Sequence, residues 1–249
     1  MVDEDKYYLL YEDRYRRIHN QGFRYWISDP DEYKHVMSSI DKFLDYTGCV
    51  PLTTSIIELG CGEGYVANHV LELGFSYLGV DISESAIKKA RERAGDKNNE
   101  AFLLADVTEL PQIADGSFDV AIDNQCFQMF VTDYHRTKYL SELKRILKND
   151  GKLYFRENIQ EEEFRKKVSS FREFMDVFGT DYTTLHDYPA YHDNQQHIVK
   201  LPRVPARFNN ESGYRKELDK AGFTVEHYET DGWQCVIYAC VRGKINKQI

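Results

Sequence analysis

The chain has 249 residues, 42% hydrophobic and 29% charged, with a formal net charge of −9, which suits one sizeable α/β domain with room for an embedded cap. No apolar run approaches the roughly 18–20 residues that span a bilayer, so no membrane partner is expected. The acidic balance disfavours nucleic acid, whose binders usually present a basic face; the cationic stretches "KKARER" and "ELKRILK" sit where exposed amphipathic helices are expected.

In chain order, residues 1–45 come first and are rich in aromatics: Tyr7, Tyr8, Tyr11, Tyr15, Phe23, Tyr25 and Trp26. They precede the first strand and are expected as a helical, aromatic lid over the sheet or its open end. The start "MVDEDKYYLLYEDRYRR" lacks the basic, apolar and small-residue regions of a secretory signal. Cys49, Cys61, Cys126, Cys235 and Cys240 form no C-x-x-C pair. Together these features predict a cytoplasmic protein with reduced thiols and no disulfide framework.

Residues 46–158 alternate strand and helix and are expected to form a ligand-binding core. "SIIEL" is a buried strand running into glycines, and "YVANHVLELG" a helix closing on Gly74. "SYLGVD" is the second strand, followed by a helix from Ser83 to Gly95. "EAFLLAD" and "SFDVAIDN" read as strands three and four. "YHRTKYLSELKRILKNDG" is an amphipathic helix with Leu140, Leu143, Ile146 and Leu147 on one side, and "GKLYFREN" is strand five. Units this short predict a doubly wound, mainly parallel sheet with helices on both faces. Residues 159–205 break the rhythm with a charged helix, "EEEFRKKVSSFREFMDVFG", and a loop holding Pro189, Pro202 and Pro205; they are expected as an inserted substrate cap. Residues 206–249 supply a last helix, "ESGYRKELDKAG", and a terminal antiparallel strand pair.

Ligands of such sheets bind beyond the carboxyl ends of the strands, where the chain order reverses. The turn Gly60-Cys61-Gly62-Glu63-Gly64 lies there. A dinucleotide turn wants G-x-G-x-x-G, with phosphates at the helix N-terminus; here the third glycine comes one residue early, at Gly64, and Glu58 has the wrong sign for a phosphate. Both departures suit a ligand with a cationic amino-acid end.

With those residues in view, the sequence resembles the class I S-adenosylmethionine-dependent methyltransferases over about residues 54–158. "ELGCGEG" is similar to their first motif, "GVDIS" to the second, "LLADVTELP" to the third and "FDVAIDN" to the fourth; "YLSELKRILKNDGKLYF" resembles their helix-turn-strand, with "KNDG" for the commoner "KPGG". The resemblance implies a seven-stranded, Rossmann-like methyltransferase fold and S-adenosylmethionine as cofactor. It implies cofactor contacts from Glu58, Gly60, Cys61, Gly62 and Gly64, ribose contacts at Asp81 with Ile82 beside it, and adenine contacts from Asp106 and Val107. Asn124, with Gln125, should border the methyl group.

Methyl transfer needs alignment, water exclusion and, for a protonated nucleophile, a base. Candidates for that work are His192, Tyr15 and Arg156. His186, His192 and His197 fall six and five residues apart, which matches no zinc pattern, so no metal is expected; surface histidines are the plain reading and one catalytic histidine the sharper one. Tyr11, Tyr15, Arg24, Tyr25 and Trp26 combine aromatic faces with a cation. Arg156 either binds an acidic substrate group or pairs with an acid such as Asp123, which itself either borders the site or points back into the sheet. Phe127, Met129 and Phe130 are expected chiefly as packing, and Cys126 as a buried, inert thiol. An acidic surface and an enclosed cap favour a small-molecule acceptor methylated on N, O or S. The alternatives are a protein or peptide side chain, or a non-catalytic partner subunit; the sequence leaves oligomeric state open.

Overall fold

In the computed structural model, residues 5–23, 30–192 and 195–243 are described; Arg24, Tyr25 and Trp26 lie outside them. A 3-10 turn at Tyr7–Leu9, α1 (Leu10–Asn20) and α2 (Pro30–Thr47) precede β1 (Ser55–Leu59). Then follow α3 (Ala67–Glu72), β2 (Ser76–Asp81), α4 (Glu84–Ala94), β3 (Phe102–Leu104), β4 (Phe118–Asn124), α5 (Asp133–Ile146) and β5 (Leu147–Asn158). α6 (Phe171–Phe178), β6 (Leu185–His192) and β7 (Gln195–Pro202) come next, before α7 (Glu211–Ala221), β8 (Phe223–Thr230) and β9 (Gln234–Val241).

Seven strands form one sheet in the order β3-β2-β1-β4-β5-β9-β8. The first five are parallel; β9 runs antiparallel between β5 and β8. Side chains alternate across a strand, so β1 sends Ile57 and Leu59 to one core and Ile56 to the other. The first core is covered by α5 and α7, through Leu140, Leu143, Tyr214 and Leu218. The second is covered by α2, α3 and α4, through Ile40, Phe43, Val70 and Ile87. Each such buried side chain contributes roughly 1.5–3 kcal/mol. β1 pairs with β2 on one side and β4 on the other, which makes its carboxyl end the switch point of the sheet. Among the described residues no helix is long and apolar enough to cross a membrane.

Several element boundaries differ from expectation. The loop expected around Pro189 and Pro202 is the antiparallel hairpin β6–β7. Both strands are edges of a two-stranded sheet, where a proline without an N–H is tolerated. The helix expected over 161–179 is confined to α6, which starts at the Ser170 cap and stops at left-handed Gly179. Upstream, tertiary partners take the backbone groups a helix would use: Phe164 N–H donates to Asn209 Oδ1 at 2.9 Å, and Val168 N–H to Asp133 Oδ2 at 3.2 Å. The helix expected to reach Gly151 ends at Ile146, and β5 begins at once.

Candidate active site

The turn after β1 is built on left-handed glycines: Gly60, Gly62 and Gly64 have φ of 72°, 51° and 68°. A Cβ on Gly60 would stand 2.5 Å from Cys126 Sγ, and one on Gly62 2.7 Å from the Tyr15 hydroxyl, so both positions need glycine. Glu58 accepts a hydrogen bond from the Tyr77 hydroxyl. Burial pushes its carboxyl up to about 8, against the pull of Tyr77 and helped by the charges of Asp81 and Asp123. Asp81 accepts the Gly62 N–H on Oδ2 and the Ser83 N–H on Oδ1, both at 2.8 Å. Burial raises it to about 6, with those two bonds opposing. Asp106 Oδ1 takes the Thr108 N–H and hydroxyl at 2.9 and 2.7 Å, and its Oδ2 the Tyr8 hydroxyl at 2.7 Å.

Two adjoining hollows open on this turn. The smaller, about 80 Å³, is lined by Asp81, Ile82, Asp106, Val107, Tyr8 and Phe130 among others. Its described lining has two acids and no lysine or arginine. A diphosphate would be repelled there, while hydroxyl and amine donors of a nucleoside find acceptors. The larger, about 430 Å³, takes in Glu58, Cys61, Gly62, Asn124 and Arg14. Tyr11, Tyr15, Gly60, Gln125 and Met129 line both. The residue set therefore suits a nucleoside at the small hollow, which has to widen to admit one, and a cationic amino-acid end beside Glu58 in the large one.

Asn124 and Gln125, at the end of β4, reach the large hollow. Gln125 holds a left-handed φ of 68°, a strained place for a residue with a side chain. It is pinned by its N–H to Arg156 O at 2.7 Å and by Nε2 to Asn158 Oδ1 at 3.0 Å. Arg156, expected to face substrate or an acid, does neither. It is 3% exposed, donates to Asn124 Oδ1 at 2.9 Å and to Gln234 Oε1, and so stands behind Asn124 as a positioning residue. Asp123 points back into the sheet, accepting from Cys126 N–H at 2.8 Å and the Tyr139 hydroxyl at 2.7 Å. Glu157, pushed well up by burial, accepts the Phe127 and Gln128 N–H groups at 3.0 and 3.2 Å. These two carboxyls hold the 3-10 turn Phe127–Met129 in place. Phe127 and Phe130 are core, and Met129 is half-buried against the hollows. Burial pushes the thiols of Cys61 and Cys126 well up, which leaves both as poor nucleophiles. The Tyr15 phenol is also raised well above its usual range by burial, so it stays protonated at neutral pH.

The side chain of His192 lies outside the described residues; its backbone ends β6, opposite Gln195. His186 is half-buried and His197 exposed. Among the described residues no three His, Cys, Asp or Glu cluster as metal ligands.

One feature of α1 escaped the sequence reading. Tyr8 in the preceding 3-10 turn and Glu12, Tyr15 and His19 of α1 recur at intervals of four, three and four, one stripe along the segment. Each meets a residue of the glycine-turn side. Tyr8 bonds Asp106, and Glu12 accepts from Ser83 Oγ, Ser85 N–H and Ser85 Oγ at 2.5, 3.1 and 2.6 Å. Tyr15 abuts Gly62, and His19 Nε2 lies 2.7 Å from Glu63 Oε1. A neighbouring stripe, Tyr11, Arg14 and Ile18, meets the cap. The Tyr11 hydroxyl donates to Pro205 O at 2.7 Å and Arg14 Nη1 to Pro202 O at 2.9 Å. Ile18 packs with Ala190, Val199 and Leu201 of the hairpin. The Arg14 guanidinium also lies 4.3 Å over the Tyr188 ring. Arg14, Gln128, Asn158, Tyr188 and Arg203 all line the large hollow, and none of them carries a sequence motif.

Comparison with known proteins agrees with this geometry. Residues 57–155 match the model of a family described as a methyltransferase domain. An uncharacterized methyltransferase of Schizosaccharomyces pombe is 31% identical over 106 residues, 42% of this chain and 72% of that protein. A second one from the same organism is 26% identical over 216 residues, 82% of this chain and 73% of its own length. Among solved structures, the Burkholderia thailandensis 1,6-didemethyltoxoflavin-N1-methyltransferase, with bound 1,6-didemethyltoxoflavin and S-adenosylhomocysteine, superposes with a TM-score of 0.63. It is 16% identical, and the match covers 97% of this chain and 92% of that one.

Proposed function

The chain belongs to the class I S-adenosylmethionine-dependent methyltransferases, and on that premise we propose that it methylates an N, O or S atom of a small-molecule acceptor. The observation that carries the reading is the cavity of about 430 Å³ beside the glycine turn, covered by α1 and the β6–β7 hairpin, which pack on each other through Ile18 and Leu201. A partly covered volume of that size suits a small guest.

S-adenosylmethionine, when bound, supplies a methyl group already activated on a positive sulfur. The chain's own residues have three tasks. Asp81 and Asp106 accept from the nucleoside's hydroxyls and amine, with Ile82 and Val107 beside them. Glu58 meets the positive amino-acid end. Asn124 and Gln125, braced by Arg156 and Asn158, border the reacting carbon, while Tyr11, Tyr15 and Tyr188 exclude water and offer aromatic faces to a cation. Positioning of this kind is the main demand of an in-line displacement.

The test is a product scan with labelled methyl donor against small-molecule, protein and RNA fractions of a cell extract. Label is expected in the small-molecule fraction; label confined to protein or RNA overturns the proposal.

A further inference from the structure

A third hollow, about 450 Å³, lies between α5 and α7, with residues 164–167 along one side. It shares no lining residue with the two hollows of the active site. On a chain with net charge −9, its lining is basic. Arg136, Arg165, Lys166, Lys167, Arg207 and Lys220 stand against only Asp133 and Glu217. Both acids are already matched. Arg136 grips Glu217 through Nε and Nη2 at 2.7 and 2.8 Å, and Arg207 Nη1 lies 2.6 Å from Asp133. Lys166, Lys167 and Lys220 are exposed and make no ion pair among the described residues.

Arg207 is the second, independent sign. It is 6% exposed, yet its Nε is buried with no hydrogen-bond partner. Its Nη1 is fully used, on Asp133 and on Val131 O at 3.2 Å, and its Cζ lies 4.3 Å from the centre of the Phe164 ring. A buried guanidinium with an unused edge is costly unless something completes it. Burial and the neighbouring Arg136 accordingly depress its pKa. The Nε atom itself has no exposed surface, so an oxygen anion in the groove would meet the part of this guanidinium that lines it, and a guanidinium suits phosphate oxygens.

We propose that this groove binds a small diphosphate-type anion with three or more negative charges, seated on Arg207 and held by Lys166, Lys167 and Lys220. A nucleic-acid strand is disfavoured because the segments that carry these lysines are also acidic, with Glu161, Glu162 and Glu163 before one and Asp219 beside another. The site is separate from the donor and acceptor hollows and does not rest on the acceptor assignment.

Calorimetry of the full chain with inorganic pyrophosphate, at physiological ionic strength so that loose surface attraction is screened, tests this. One-to-one binding is expected, tighter than for orthophosphate and unaffected by saturating S-adenosylhomocysteine. Combining Lys166→Ala, Lys167→Ala and Lys220→Ala should weaken it roughly tenfold or more without changing the unfolding temperature in the absence of anion. Arg207→Lys, which keeps charge but loses the fork, should weaken it as well. No binding, equal affinity for orthophosphate, equal affinity in the triple variant, or displacement by S-adenosylhomocysteine would each overturn the proposal.

Discussion

Glu58 is where the chemistry of single residues is sharpest. Its carboxyl is pushed up to about 8 by burial, so at pH 7 the free protein holds it mostly protonated. A cationic amino-acid end arriving beside it favours the charged form, so donor binding should expel a proton. Calorimetry in buffers of different ionisation enthalpy is expected to show that release at pH 7, and Glu58→Gln to abolish it; release persisting in the variant would remove Glu58 from the donor's charged end. Asp81 offers a companion test. Its two oxygens each hold one backbone N–H and keep lone pairs for ribose hydroxyls, so Asp81→Ala should cost roughly 1–3 kcal/mol of donor affinity per lost charged bond. Unchanged affinity would count against the ribose contact.

At the scale of elements, α1 is two stripes on one helix, one seated on the donor side and the other on the cap. Glu12 is the main tie, through three bonds to Ser83 and Ser85. Tyr8, in the 3-10 turn that leads into α1, adds a second tie through Asp106 Oδ2, which keeps a lone pair for a further donor. Loosening the tie with Glu12→Ala should raise the donor's dissociation rate about tenfold in stopped-flow measurements; an unchanged rate would make the helix a passive cover. The glycine turn, Asp81 and Asp106 were legible in the sequence because each requirement there is local: a bend without Cβ, an acid at a strand end. The stripe Tyr8, Glu12, Tyr15 and His19 has an equally plain helical period, but its meaning depends on which surface the helix meets, and that is decided by tertiary packing. The same holds for the hairpin, where Pro189 reads as a loop until its strand proves to be an edge. Arg156 sits at the right strand end, yet only the contact with Gln234 of β9 reveals that it faces inward.

For the molecule as a whole, the buried acids set the pH response. Burial raises Glu58 to about 8, Asp81 and Asp123 to about 6, and Glu157 well above its usual range. Between about pH 4 and 8 the folded protein therefore binds more protons than the unfolded chain, and stability falls as pH rises through that window. Half-buried acids held low by cations, such as Glu142 beside Arg145 and Asp119 beside Lys148, act oppositely and lose their contribution only as pH falls through the carboxylate range. The donor-free protein is thus expected to have its highest Tm on the acidic side of neutral, declining towards pH 8. A Tm that climbs from pH 5 to 8 would contradict burial as the dominant influence on these carboxyls.

The place of β9 has a consequence for assembly. The last strand in chain order is wedged between β5 and β8, so β8 has nothing to zip onto until its successor has been made. During synthesis the five parallel strands can settle early, leaving β5 with a bare flank that only a late arrival can cover. Damage confined to the tail of the chain would therefore detach two strands rather than one, and would bare the rim from which Gln234 steadies Arg156, a structural cost that reaches the candidate active site through Asn124.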